Sequence, residues 1–249
     1  MSWHREADFY VGLDLGQSKD YTAIAVVEQA LWLPEAAAWQ IVAPEHGWVS
    51  PAALGRIQRE QARSFWRERP SRPGLSVRHL ERFPLGTSYP DIVRRVTGLL
   101  ATAPLADAAV TLVVDATGVG SPVVDLLHEA GLAPIATTIT AGSSALFDGN
   151  GAVTVPKRDL VSAMAVLLES RRLKIAEGLP EAATLVKELQ EFKRRITPAG
   201  HEQMASWRES VHDDLVLAVA LACWWREWYF RNWDAAAARA RGYTNIDVA

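Results

Sequence analysis

Three acidic segments, far apart in the chain, each abut an apolar run. Gly12-Leu13-Asp14-Leu15-Gly16 follows Phe9-Tyr10-Val11, Asp115 follows Thr111-Leu112-Val113-Val114, and His212-Asp213-Asp214 opens Leu215-Val216-Leu217-Ala218-Val219-Ala220-Leu221-Ala222. The first two put an aspartate at the end of strand-like sequence; the third puts a pair at the start of a helix. If a fold gathers them, they cannot all stay ionised without a compensating cation, because like charges at short range repel strongly. An all-oxygen donor set suits a hard divalent ion such as Mg²⁺, which takes one or two carboxylates, waters and substrate phosphates. Asp14, Asp115 and Asp214 therefore point to a metal-dependent site acting on a phosphate ester.

The pattern between these segments indicates how they would meet. Asp8 to Gly16 and Tyr21 to Glu28 read as consecutive strands around a Gly-Gln-Ser-Lys-Asp turn, with Ala38 to Ala43 expected as a third strand of a meander. Pro51 to Arg67 has helical periodicity behind a Ser50 cap. Leu75 to Phe83 reads as a strand and Tyr89 to Ala101 as a helix. Val110 to Asp115 has the β-branched character of a buried parallel strand. A helix over Ser121 to Ala130, closed by Gly131, and a strand over Ala133 to Ile139 complete a parallel crossover unit. Residues 140 to 152, rich in Gly, Ser and Asn, are expected to form a mobile loop. Helices are expected at Lys157 to Arg172, Pro180 to Phe192 and Asp213 to about Trp233, with a hairpin around Thr197-Pro198-Ala199-Gly200. The fold class is therefore α/β, a mixed sheet of five or more strands flanked by helices. One domain would span residues 1–234, and the Ala/Arg-rich residues 235–249 would be a flexible C-terminal tail.

Each chemistry-bearing residue also has an ordinary structural role open to it. Asp14 could cap a hairpin, and Asp20 could cap the same turn or contact a metal through water. Asp213 and Asp214 suit a helix start, where acids complement the macrodipole. Capping needs only one of the two, so Asp214 is assigned to the metal and Asp213 to the cap or to a further ligand position. His212 is a phosphate or metal-water contact, or a plain surface histidine. An apolar run ending in an acid also resembles the acidic strand of a nucleotide-hydrolysing motor. The sequence, however, contains no Gly-x-x-x-x-Gly-Lys-Ser/Thr phosphate loop.

Composition narrows the class further. Apolar residues make up 49% and charged residues 22%, as in an ordinary globule, and the net charge of −3 means that any contact with nucleic acid must use local basic surface. Candidates are the stripe Arg56, Arg59, Arg63 and Arg67, then Lys157-Arg158, and Lys193-Arg194-Arg195. Cys223, the single cysteine, lies in an apolar run and reads as a core residue in a reducing compartment. The start of the sequence has no secretory core, and Leu215 to Trp225 is too short to span a bilayer, so a cytoplasmic protein without membrane contact is expected. Trp224, Trp225, Trp228 and Trp233 recur at helical spacing, as core packing or as a docking face.

The order of these segments resembles the ribonuclease H-like nuclease plan, and within it the nuclease domain of bacteriophage large terminase subunits. The matching stretches are Gly12-Leu13-Asp14-Leu15-Gly16 with Asp20-Tyr21-Thr22-Ala23, Asp115-Ala116-Thr117-Gly118-Val119-Gly120, and Val155-Pro156-Lys157-Arg158-Asp159-Leu160. The last is Trp207-Arg208-Glu209 leading into His212-Asp213-Asp214-Leu215-Val216. The resemblance covers about residues 8 to 225. It implies a ribonuclease H-like sheet and an endonuclease using two Mg²⁺ or Mn²⁺ ions to cut concatemeric viral double-stranded DNA. Asp14, Asp115 and Asp214 would be its catalytic metal ligands and Asp213 a fourth. DNA contacts would fall on Lys157, Arg158, Arg194, Arg195 and His212. Implied partners are a packaging ATPase, a small terminase subunit and a portal, in the host cytoplasm if the chain is phage- or prophage-encoded. Members of that family carry a packaging ATPase domain, which this sequence lacks. It is then expected to be an excised domain or a free-standing nuclease homologue. Competing readings are a non-catalytic DNA-binding or motor-docking module, a junction resolvase, and an actin-like kinase, whose phosphate hairpin Val11 to Gly16 also resembles.

Overall fold

Along residues 8–15, Phe9, Val11, Leu13 and Leu15 fall on one side of a strand while Asp8, Tyr10, Gly12 and Asp14 fall on the other. A strand buried on both sides needs helices over both faces of its sheet. The computed structural model, which describes residues 3–16, 20–34, 74–118, 121–147, 152–196 and 213–240, has this form. β1 (Trp3–Asp14) and β2 (Ala23–Pro34) make a long antiparallel hairpin, and β3 (Leu75–Arg82) adds antiparallel to β2. β4 (Ala109–Asp115) runs parallel to β1 on its other side, followed outward by β5 (Ile135–Thr140) and β7 (Ala152–Pro156), also parallel. Short strands end the sheet, β6 (Leu146–Phe147) on β7 and β8 (Leu173–Ile175) on β3. The order is β6-β7-β5-β4-β1-β2-β3-β8.

Two helical layers sandwich this sheet. α1 (Tyr89–Leu100) and α2 (Ser121–Glu129) pack Ile92, Val96, Val123 and Leu127 against Val11, Leu13, Ile24 and Val114. The opposite face carries α3 (Lys157–Glu169), α4 (Ala182–Ile196) and α5 (Asp214–Ala240), whose core includes Leu160, Leu167, Leu185, Leu215, Val216 and Ala218 to Trp225 over Tyr10, Ala25, Val113 and Val155. This is the mixed, helix-flanked α/β sheet expected, with eight strands.

Several elements differ from the sequence expectation. The strand at 38–43, the helix at 51–67 and the hairpin at 197–200 lie outside the described residues; the third antiparallel strand of the sheet is β3. The stretch expected as a mobile loop, residues 140 to 152, contains β6 and takes in the last residue of β5 and the first of β7. β7 has only five residues between glycines and a helix, too few for a period to register. α3 stops at Glu169 because Arg171 adopts a left-handed conformation (φ 54°), turning the chain into β8. α5 continues past Trp233 to Ala240, into the stretch expected as a tail.

α5 lies directly on β1. A Cβ atom at Gly12 would fall 1.8 Å from the Ala218 carbonyl oxygen, so only glycine lets the helix backbone approach there. The first half of α5 is buried almost all round, Cys223 included, and burial pushes that thiol up to about 12. Trp224 and Trp225 are buried, and Trp228 stacks on Trp224 with ring centroids 5.7 Å apart. Phe147 of β6 meets Trp225 edge-on at 6.0 Å. These tryptophans are core, while the side chain of Trp233 lies outside the described residues. Beneath them, Arg226 donates to Gln29 Oε1 (2.6 Å) and Arg172 to Glu227 Oε1 (2.7 Å), a buried polar cross-link between α5, β2 and the turn before β8. No helix among the described residues is long and apolar enough to cross a membrane.

The obstructing atom at Gly12 belongs to backbone, which cannot rotate away. Gly12→Ala is therefore expected to destabilise the fold by about 3 kcal/mol, lowering the melting temperature by roughly 6–12 °C in a thermal melt. An unchanged melting temperature would show that α5 does not press on β1.

Candidate functional site

The strand registers build the site. Asp14 is the direct partner of Asp115 on β4 and of Ala23 on β2; Ala23 is the partner of Arg82 on β3, and Asp115 of Thr137 on β5. One row across the sheet thus reads Thr137, Asp115, Asp14, Ala23, Arg82. Val113, Ala23 and Leu80 belong to the core beneath α5, so period two puts Asp115, Asp14 and Arg82 on that face as well.

α5 brings the third acid. Asp214 lies one turn before Ala218 on the same side of the helix, about 6 Å along its axis. Asp14 lies two residues beyond Gly12, about 7 Å along its strand. Gly12 touching Ala218 therefore brings Asp214 over Asp14. The Asp213 carbonyl accepts the first helical bond from the Leu217 N–H (2.9 Å), which puts Asp213 at the cap and Asp214 at the first helical position. Asp14, Asp115 and Asp214 are 7%, 8% and 5% exposed.

Local bonds hold each acid in place. The Thr117 N–H donates to Asp115 Oδ1 (2.8 Å), and Thr117 Oγ1 accepts from the Ile139 N–H (2.8 Å), tying the turn after β4 to β5. The Gly16 N–H donates to Thr22 Oγ1 (3.1 Å), closing the hairpin that carries Asp14. Two residues of the site carried no flag in the sequence. Glu188 of α4 is buried; its Oε2 accepts from the Val216 N–H at the start of α5 (3.2 Å), and its Oε1 accepts from Arg82 Nη2. Arg82 Nη2 also stands 3.4 Å from Asp214 Oδ2, and the guanidinium lies 4.8 Å over the Tyr21 ring. The signal for Glu188 was available: it interrupts the apolar stripe of its helix between Leu185 and Leu189.

Charge is unbalanced here. Asp14 is held well above the usual carboxylate range, by burial first and then by the charges of Asp115, Asp214, Asp213 and Asp20. Glu188 is pushed up to about 7, chiefly by burial; Arg82 and the Val216 N–H oppose the shift, and Asp214 and Asp213 add to it. Such an oxygen-only set has the chemistry of a hard-cation site. As the side chains stand, no three acidic, histidine or cysteine residues among the described residues form a metal-holding group.

The remaining expected residues sit as follows. Asp20 is exposed in the turn after β1, within electrostatic reach of Asp14. Lys157 is half-buried at the first position of α3. Arg158 is exposed, donates to the Ser143 carbonyl and stands 3.6 Å from Asp159 Oδ1. Arg194 and Arg195 fall in the last turn of α4, their side chains outside the described residues, and His212 lies outside them altogether.

The fold and this row of acids define the class, an α/β protein with a mixed eight-stranded sheet and a buried carboxylate cluster. No protein-family model and no curated protein matches the chain. Among solved structures it is similar to the large terminase nuclease of the thermophilic phage G20c, at 18% identity over 87% of this chain and 81% of that one, with a TM-score of 0.44. It is also similar to the Mn-soaked terminase nuclease domain of human cytomegalovirus, at 11% identity over 87% and 82%, with a TM-score of 0.45.

A carboxyl whose pKa is raised by folding weakens the fold as pH climbs, because the unfolded chain ionises first. For Glu188 that loss accrues between about 4.5 and 7, and Asp14 acts in the same direction. In EDTA the melting temperature is expected to fall from pH 5 to pH 7.5. Asp14→Asn should raise it at pH 7.5, by roughly 2–4 °C per kcal/mol of repulsion removed, as calorimetry would record. A lower melting temperature for Asp14→Asn would mean that the acids do not repel one another.

Proposed function

We propose that this protein is a divalent-metal-dependent endodeoxyribonuclease, cutting double-stranded DNA as part of a viral genome-packaging machinery. The observation that carries the reading is the convergence of Asp14, Asp115 and Asp214. Two lie on neighbouring parallel strands in register, the third lies at the start of a helix packed on them, and Asp14 is disfavoured as an anion by burial and by the charges of the others. A cluster that costs stability when empty of cations is what a metal-binding role requires. Ordinary caps and turns have no need of it.

In this reading Asp14, Asp115 and Asp214 would hold the Mg²⁺ or Mn²⁺ ions, with Asp14 interacting with both other acids and Asp213 as a further ligand. Bound ions would supply an activated water as nucleophile and would stabilise the leaving 3′ oxygen. The chain's own work is to orient the oxygens: the Thr117 N–H turns Asp115, and the α5 cap fixes Asp214. No covalent nucleophile is needed. β1, β4, β5 and β7 are parallel, so Asp14, Asp115 and the pair Lys157-Arg158 after Pro156 share one edge of the sheet. Lys157 and Arg158 follow β7, two strands from Asp115, about 10 Å across the sheet, in reach of the phosphates of a duplex held over the acids. Arg194, Arg195 and His212 would extend this basic contact. Partners in this reading are a packaging ATPase, a small terminase subunit and a portal, in the host cytoplasm.

Incubation of supercoiled plasmid with Mn²⁺ or Mg²⁺ is expected to give nicked and linear DNA. Asp115→Ala should reduce the rate about a hundredfold or more while circular dichroism stays native. Cutting that persists in EDTA, or in Asp115→Ala, would defeat the reading. Lys157→Ala and Arg158→Ala are each expected to weaken duplex binding at every sequence alike and to lower the slope of log affinity against log salt by about 1, measured by fluorescence anisotropy.

A further inference from the structure

Arg82 ends β3 in the cross-sheet row of Asp115 and Asp14, and its guanidinium reaches the acids from the side opposite β4. Three groups surround it. Glu188 Oε1 accepts from Nη2, the Tyr21 ring lies 4.8 Å beneath, and Asp214 Oδ2 stands 3.4 Å away. Glu188 is itself anchored by the Val216 N–H, so the guanidinium keeps one fixed partner whatever Asp214 does. The Asp214 contact is the longer of its two carboxylate contacts and the more easily exchanged.

We propose that Arg82 is the resident counter-cation of Asp214, competing with a divalent ion for that carboxylate. The inference rests on the metal-binding reading of the same acids and deepens it. Arg82 Nη2 stands 3.4 Å from Asp214 Oδ2, an oxygen that a divalent ion bound among these acids would also take. Cation entry then exchanges one partner of Asp214 for another, while Glu188 retains the guanidinium. Arg82 is a positioning residue that sets how tightly the Asp214 side of the site holds its ion. A guanidinium beside a carboxylate favours its charged form but occupies the oxygen a metal would take.

The test is a Mn²⁺ titration of the full chain by isothermal calorimetry, with melting temperature against Mn²⁺ as a second readout. Arg82→Gln is expected to bind Mn²⁺ about tenfold more tightly than the natural protein. Arg82→Lys, which keeps the charge, should stay within a few-fold of it. A residue that merely supported the fold would lose affinity on substitution. Removing Arg82 alone leaves Glu188 buried without its cation and could unfold the chain. The double variant Arg82→Gln/Glu188→Gln removes both charges, and it should bind about tenfold more tightly than Glu188→Gln alone. Unchanged or weaker binding in both comparisons overturns the role of Arg82 and leaves the metal reading standing. No Mn²⁺ binding in the natural protein or in any variant overturns both.

Discussion

The contact of α5 with β1 at Gly12 is the constraint on which the molecule turns. Two backbones meet there with no side chain between them, because any Cβ would collide with the Ala218 carbonyl. That closeness lowers the start of α5 onto the ends of the central strands. It also demands a helix apolar on nearly all sides, which accounts for the run from Leu215 to Trp225. Sheet register then does the rest. With Asp14 opposite Asp115 and Asp214 one helical turn from the contact, the three carboxylates are brought together by backbone packing, with no reliance on long, flexible side chains.

Bringing acids together in a buried place has an electrostatic cost, and the structure distributes it. Asp14 bears part of it, its carboxyl held well above the usual range by burial and by the charges of four neighbouring aspartates. Arg82 and the N–H groups at the start of α5 relieve the side nearest Asp214 and Glu188. The two halves of the cluster are therefore unlike: one is a pair of carboxylates on adjacent strands, the other a carboxylate already in contact with a cation. A small domain tolerates such an arrangement because the apolar layers above and below the sheet supply its stability.

Much of this was legible in the residues, for identifiable reasons. Asp14 and Asp115 end apolar runs whose period and β-branching declare them strands, and Asp214 precedes a run that nothing but a helix could bury. Arg82 was not legible. A register shift in the β2–β3 pairing, at Val26/Val27, moves alternation along β3 out of phase, so sequence alone could not say which face its last residue takes. Glu188 stood out only as a charge within an apolar stripe, and its value depends on the Val216 N–H, 28 residues away. β7 and β8 have five and three residues and are strands because neighbours supply their hydrogen bonds. The tryptophans posed an open question, core or docking surface, that only their stacking and the covering Phe147 could decide for Trp224, Trp225 and Trp228.

The length of α5 on either side of Gly12 gives the molecule a mechanical asymmetry. From the Ala218 fulcrum, the arm toward Asp214 is about 6 Å long and the arm toward Ala240 about 33 Å. A rigid tilt that swings the far end by several ångströms shifts the carboxylate by roughly a fifth as much. The geometry of one rigid helix thus gears a tilt down on its way to the acids.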